Sequence, residues 1–450
     1  RLAGAVAGRR GVATLADGDL DGTLVEVTGA TVGPERTVLP VPDGAPDRAL
    51  RREAAGERRP DAVARAERAV DERVGPVHDV GERESFPAPY YIARTADTTA
   101  FADARAAELA AGVAAGWDDA LMKALGEALE RYAAGVYRAG WFTTAPERSL
   151  PNPVPPARFP RPDGYRPPDP ETPIRWVRGE HLATGERVSL PAERVQYPPP
   201  EERHAPAITT GLGLGSDGPD ALLSGLYEAI ERDATMVAWY STFEPLGLSV
   251  DREAYATLVR RARSEDLSVT PLLVTTDVDV PVVAVAVHRE GDWPRFAVGS
   301  GADLDAGAAA TAALAEALQN WMELRAMGSE AASDEGGAIA EYADFPDAAR
   351  AFVAPDRTVP AASVGPDDPP AGPAELSAVV DRVADAGLDA YAARLTPGDV
   401  ERLGFEAVRV LVPAAQPLFT GEPFFAERAE TVPRDLGYEP RLDREYHPYP

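Results

Sequence analysis

Apolar residues recur at helical spacing in three separated stretches of the chain, and each stretch carries acidic or amide side chains. In Ala120–Tyr132 (ALMKALGEALERY), Ala124, Leu125, Ala128 and Leu129 mark one apolar face. Glu127 and Glu130 lie three residues apart, so they project from one side of that helix, and Arg131 follows. Leu223–Ala234 (LSGLYEAIERDA) repeats the arrangement with Glu228, Glu231 and Arg232. Ala313–Arg325 (ALAEALQNWMELR) is a third version, with Glu316 and Gln319.

Strand patterns surround these helices. Thr23–Val27 alternates, and Thr37–Val41 can pair with it. Asp61–Val74 is expected as a charged helix. Further strands are predicted near Ile92–Arg94, at Leu267–Thr275, Val280–His288, Phe296–Ala302, Asp389–Leu395 and Phe405–Pro413, with a helix at Leu376–Ala386. Proline density at Leu150–Pro173 and Tyr197–Pro206 predicts extended loops or lids. Thr209–Ser216 (TTGLGLGS) reads as a glycine turn opening the second helix, and Ala331–Ala340 as a small-residue loop. The last thirty residues show little regular pattern and end in an extended tail, Tyr446–Pro450 (YHPYP). The fold class this implies is α/β (α+β) with internally duplicated strand–acidic-helix units. Residues 1–80 form a small N-terminal segment for docking or support, and residues 81–450 the main domain.

At 450 residues and 44% hydrophobic content, the chain can bury a large core. No run approaches the ~20 apolar residues of a membrane helix. No signal peptide is evident, and an opening Arg1 rather than Met suggests a native start further upstream. The absence of cysteine removes disulfides, thiolate nucleophiles and sulfur-ligated zinc, so no structural zinc is expected and a cytoplasmic location fits. Acidic residues number 73 against 45 basic ones, a formal net charge of −28. Lys123 is the single lysine. Such a surface suits a salty cytoplasm and disfavours nucleic acid and anionic membranes.

One ExxER on a helix is ordinarily a solvated, salt-bridged face. Here the pattern recurs, two copies follow glycine-rich turns whose N–H groups can hold phosphate, and the flanking positions are apolar. Carboxylates of this kind suit magnesium bridging to phosphates, and the arginines can meet phosphate charge bidentately. TTGLGLGS is neither a Walker loop nor a dinucleotide fingerprint. Lys123 reads as an i,i+4 partner of Glu127. The histidines at 78, 181, 204, 288 and 447 lack metal-ligand spacing, and only His447 is kept in view. If the glutamates were merely solvated, the three helices would point apart.

GLGLGSDGPDALLSGLYEAIERDA resembles the central signature of the YcaO family, ALGEALERY its earlier helix, and VGSGADLDAGAAATAALAEALQN its third motif. LVPAAQPLFTGEPFFAER, VPRDLGY and the closing YHPYP resemble the tail of its azoline-forming, docking-scaffold branch, over roughly residues 86–450. The resemblance implies ATP- and Mg2+-dependent activation of peptide backbone amides, giving azolines or thioamides, or else a non-catalytic scaffold that binds a leader peptide or partner. It places magnesium on Glu127, Glu130, Glu228 and Glu231. Nucleotide contacts would add Thr210, Gly211, Ser224, Glu316 and Gln319. Arg232 and Arg325 would face phosphate, with Pro448 and Pro450 ordering the catalytic region. It further implies a peptide or protein substrate, a homodimer, and a ubiquitin-activating-enzyme-like or TfuA-like partner. Thr210 stands where many members carry Asn, and Tyr446 where the tail's first proline would be.

Overall fold

The computed structural model describes residues 47–54, 61–201, 203–335 and 341–450. Within the first 46 residues it describes Ala7 and two strands. Those strands, β1 (Thr23–Glu26) and β2 (Glu35–Val38), pair antiparallel. Of Pro40–Arg48, where no structural zinc is expected, residues 40–46 lie outside the described residues.

Three sheets make up the rest. The first is a meander of β3 (Val77–Glu84), β4 (Tyr90–Thr95) and β5 (Leu109–Val113). The second joins β6 (Thr143–Ala145), β7 (Ile174–His181), β15 (Tyr391–Arg394), β16 (Glu406–Leu411) and β9 (Leu212–Gly215) in that order, with β8 (Arg187–Pro191) also on β7. The third runs β13 (Phe296–Ala302), β12 (Val282–His288), β11 (Ser268–Leu273), β10 (Leu246–Ser249) and β14 (Thr358–Pro360). Among the described strands only β10 and β14 pair with each other in parallel, and isolated parallel bridges join Val70 to Val77 and Pro153 to Ser189.

Each sheet feeds one acidic helix. β5 leads into Trp117–Gly135, β9 into Gly218–Trp239, and β13 into Ala306–Met327. The three units share one register. Gly112, Gly213 and Gly301 lie on the strands, and each helix begins the same number of residues later, at Trp117, Gly218 and Ala306. A Cβ on Gly112 would meet Ala120 O at 2.3 Å and Ala124 N at 2.3 Å. On Gly213 it would meet Ala221 O at 2.2 Å and Gly225 N at 2.8 Å, and on Gly301 Ala309 O at 2.7 Å and Ala313 N at 3.3 Å. Glycine is needed because helix backbone rests directly on strand backbone. Small residues on the helix, Ala124, Ala221, Gly225 and Ala313, complete the contact. The expected duplication is therefore a triplication. In the second unit the two strands beside β9 come from far downstream, so β15–β16–β9 reproduces the β3–β4–β5 and β11–β12–β13 meanders out of chain order.

Several elements depart from expectation. Asp61–Val74 is helical only over Ala62–Glu67. Asp71 Oδ1 then accepts from the N–H groups of Arg73 and Val74 and turns the chain. The helix packs Ala66 into a core with Leu125 and Leu129, and β3 runs across the expected boundary at residue 80. TTGLGLGS is the strand β9, not only a turn. The proline-rich stretch Leu150–Pro173 is a loop, as expected, with one 3-10 turn at Pro156–Arg158, and it runs between β6 and β7. Ser329–Glu335 is a helix, and so is Arg428–Asp435 in the final stretch. The tail is not a free extension: His447, Pro448 and Tyr449 are buried. No described helix is long and apolar enough to cross a membrane.

Candidate active site

The common register sets equivalent side chains at equivalent places. Glu127, Glu228 and Glu316 stand at one position of the repeat, Glu130, Glu231 and Gln319 at the next, and Arg131, Arg232 and Asn320 at a third. Each glutamate of the first set reaches back to its own strand. Glu127 accepts from Ala111 N at 3.0 Å, Glu228 from Gly211 N at 2.9 Å, and Glu316 from Ser300 N at 2.6 Å. Those N–H groups belong to the stretches beside the helices, so the carboxylates fix helix to strand.

The acidic groups converge. Glu127, Glu130, Ser224, Glu316 and Gln319 line a single cleft of ≈ 910 Å³, together with Lys123, Ser216, Asp220 and Ser300. Glu231 and Arg232 stand directly behind it. Ser300 Oγ donates to Glu231 Oε1 at 2.6 Å, and Arg232 lies 3.6 Å from Glu231 and 3.8 Å from Glu316. Burial raises the Glu130 carboxyl to about 8, with Glu228 and Glu127 adding to the rise and Arg131 and Arg409 opposing it. Glu231 and Glu316 are raised too, chiefly by burial, with Arg232 pulling both down, Glu228 adding to both rises and Glu316 adding to that of Glu231. The third option for the sequence, glutamates pointing apart into solvent, is excluded by this geometry.

Not every expected residue comes to the cleft. Arg325 is held elsewhere, by Glu84 at 2.5 Å and Glu265 at 3.4 Å, and lies over the Trp321 ring. Thr210 lines a separate small pocket of ≈ 60 Å³ with Arg232 and Arg409. Gly211 gives its N–H to Glu228. Lys123 does not bind Glu127, whose partner one turn away is Arg131 at 3.0 Å. Among the described residues no three His, Cys, Asp or Glu groups are gathered to hold a metal ion as they stand. Carboxylates already bonded to backbone and arginine are not free to close on one point. The donor set nonetheless fits a hard cation, being all oxygen, crowded, and raised in pKa by burial first and by neighbouring carboxylates second.

Pro450 and the tail sit behind the second helix. The Pro450 backbone oxygen accepts from Arg232 Nη1 at 3.3 Å. The Tyr342 hydroxyl donates to Tyr446 O, and the Tyr446 hydroxyl to Phe419 O, both at 2.7 Å. His447 Nε2 donates to Phe419 O at 2.8 Å, and burial lowers its ring to about 4. His447 is thus a neutral packing residue. Sequence reasoning missed Ser300 and Asp220. The signal for Ser300 was its place between two glycines of the FAVGSGA strand, directly before the third helix.

The sequence model of the YcaO family, described as YcaO cyclodehydratase, ATP- and Mg2+-binding, matches residues 111–416. The chain belongs to the YcaO family. It is 26% identical to the YcaO protein of Methanopyrus kandleri, solved with AMPPCP and Mg2+, covering 76% of this chain and 86% of that one at a TM-score of 0.59. A heterocyclase solved in complex with substrate and cofactor is 20% identical, with a TM-score of 0.74 over 95% of this chain. The heterocyclase TruD gives 18%, 0.67 and 95%. These two show the fold, and this chain spans 64% and 61% of their lengths. An uncharacterized protein of Methanothermobacter thermautotrophicus is 30% identical over 161 residues, 33% of this chain and 41% of that protein.

Proposed function

We propose that this YcaO chain activates backbone amides of a peptide or protein substrate by phosphoryl transfer from ATP to the amide oxygen, giving azoline heterocycles or thioamides. The observation that carries the reading is the convergence of three equivalent acidic helices on one cleft. Bound ATP with Mg2+ supplies the phosphoryl group that makes the amide oxygen a leaving group.

The chain's own residues do the positioning. Glu127, Glu130, Glu228 and Glu231 would hold magnesium. Ser224, Glu316 and Gln319 face the nucleotide from the second and third helices. Arg232, fixed between Glu231, Glu316 and the Pro450 backbone oxygen, meets developing phosphate charge. Pro448, buried two residues before Pro450, keeps that part of the tail in place. Chemistry of this type needs charge neutralisation and alignment more than a protein nucleophile, and the cleft offers no histidine or cysteine. A substrate-delivering partner and self-association belong to the same reading, as does a salt-adapted cytoplasm for so acidic a chain.

One observation favours a second reading, a scaffold without catalysis: Glu127, Glu228 and Glu316 already serve as helix-to-strand ties. Co-expression with a candidate substrate followed by mass spectrometry separates the two. Loss of one water per site marks azoline formation, and exchange of oxygen for sulfur marks a thioamide. An unmodified substrate together with no ATP consumption supports the scaffold.

A further inference from the structure

We infer that Lys123 is a nucleotide-contacting residue whose ammonium faces the phosphate chain of ATP from the rim of the cleft, an inference that rests on the ATP-dependent reading above. The first observation is compositional. Of 45 basic residues all but Lys123 are arginine, so a bias acting across the whole chain has spared one position, and that position lines the acidic cleft. The second is geometric. The cations at the cleft are otherwise engaged: Arg252 by Asp305 at 2.5 Å, Arg131 by Glu127 at 3.0 Å, Arg232 by Glu231 and Glu316. Lys123 has no carboxylate within 4.0 Å among the described residues; the negative groups it faces are Asp119 and Glu316. It is therefore an exposed cation that faces carboxylates and pairs with none of them among the described residues.

The side-chain chemistry explains why arginine does not stand there. Lys123 leaves the helix where that helix rests on β5, its Cβ only 2.9 Å from where a Cβ on Gly112 would lie. A compact ammonium on a flexible stem can turn its three donors toward successive phosphate oxygens, whereas a planar guanidinium demands a fixed bidentate partner. A polyanion entering a cleft lined by Glu127, Glu130 and Glu316 also needs at least one unneutralised cation at its mouth.

Because the chain has one lysine, an acyl-phosphate derivative of ATP tests this directly. The lysine amine attacks the acyl carbonyl, a new amide bond forms, the acyl–phosphate bond breaks, ATP leaves and the amine loses a proton. Peptide mass spectrometry should find the acyl group on Lys123, with labelling suppressed by excess ATP and Mg2+. Lys123→Gln should raise the KM for ATP about tenfold with kcat little changed, and Lys123→Arg should recover only part of that loss. Unprotected or absent labelling, or an unchanged KM in Lys123→Gln, overturns the inference. A thermal-shift titration with unmodified ATP and Mg2+ separates the failures. Stabilisation without labelling sinks only Lys123, whereas no stabilisation and no labelling sink the ATP-dependent reading with it.

Discussion

Glu130 shows at the scale of one residue how the site is set against stability. Its carboxyl is raised to about 8 because burial disfavours the charge and Glu127 and Glu228 repel it. A metal-free folded protein therefore holds a proton there that the unfolded chain releases above about 4.5. Stability from this group is complete at low pH and falls as pH rises toward 8. Glu130→Gln removes that penalty, so its metal-free melting temperature at pH 8 should exceed that of the parent protein, while ATP-dependent modification falls at least a hundredfold. A variant that melts lower and still turns over would contradict both halves. Glu130 and its neighbours stood out in the sequence because the spacing of acidic or amide groups recurs on three apolar-faced helices, whereas one copy alone reads as a solvated face. Ser300 was not, because a serine inside a strand carries no such signature until Glu231 and Glu316 are seen to meet on it.

At the scale of elements, the helices were readable and their supports were not. The spacing of Ala124, Leu125, Ala128 and Leu129 is a local property. The pairing of β9 with β16 is not, since the 190 positions from 216 to 405 separate them and Gly211, Gly213 and Gly215 look like a turn. Those glycines are there for proximity. A methyl group on Gly213 would lie 2.2 Å from Ala221 O, a backbone atom with no freedom to move aside. Gly213→Ala should cost about 1–3 kcal/mol and displace Glu228, lowering the melting temperature and ATP affinity together. An unchanged melt would mean the strand and helix are not in this register. A second joint ties the first acidic helix to the Gly398–Leu403 helix, where the Tyr132 hydroxyl donates to Asp399. Burial raises Asp399 to about 6. The folded state then binds the extra proton between about 4 and 6, and stability declines as pH rises through that window. Asp399→Asn keeps an acceptor for Tyr132 and removes the titration. The stability of this variant relative to the parent should climb by on the order of 2 kcal/mol from pH 4 to pH 6 in chemical denaturation. A flat difference across that range would place the proton elsewhere.

The whole molecule carries a net charge of −28, and two kinds of positive ion can relieve it in separable ways. Self-repulsion among exposed carboxylates acts over a Debye length, roughly 10 Å at 0.1 M salt and roughly 3 Å at 1 M. Buried pairs hardly feel that screening: Arg394 and Glu406, with side chains 1% and 8% exposed, meet at 2.7 Å. Raising potassium chloride from 0.1 to 1 M should therefore lift the melting temperature steadily by several degrees, since it weakens repulsion and leaves the core pairs intact. Magnesium with ATP should act at millimolar levels, far below the range where screening changes, because the proposed reading binds it at the cleft rather than spreading it over the surface. Replacing Glu231 and Glu130 together by Gln should abolish the millimolar response and leave the molar one. If the double variant lost its response to potassium chloride instead, the acidic cleft would be the main seat of repulsion and the surface a minor one. If it kept the response to magnesium and ATP, the cation would bind outside the three-helix cleft.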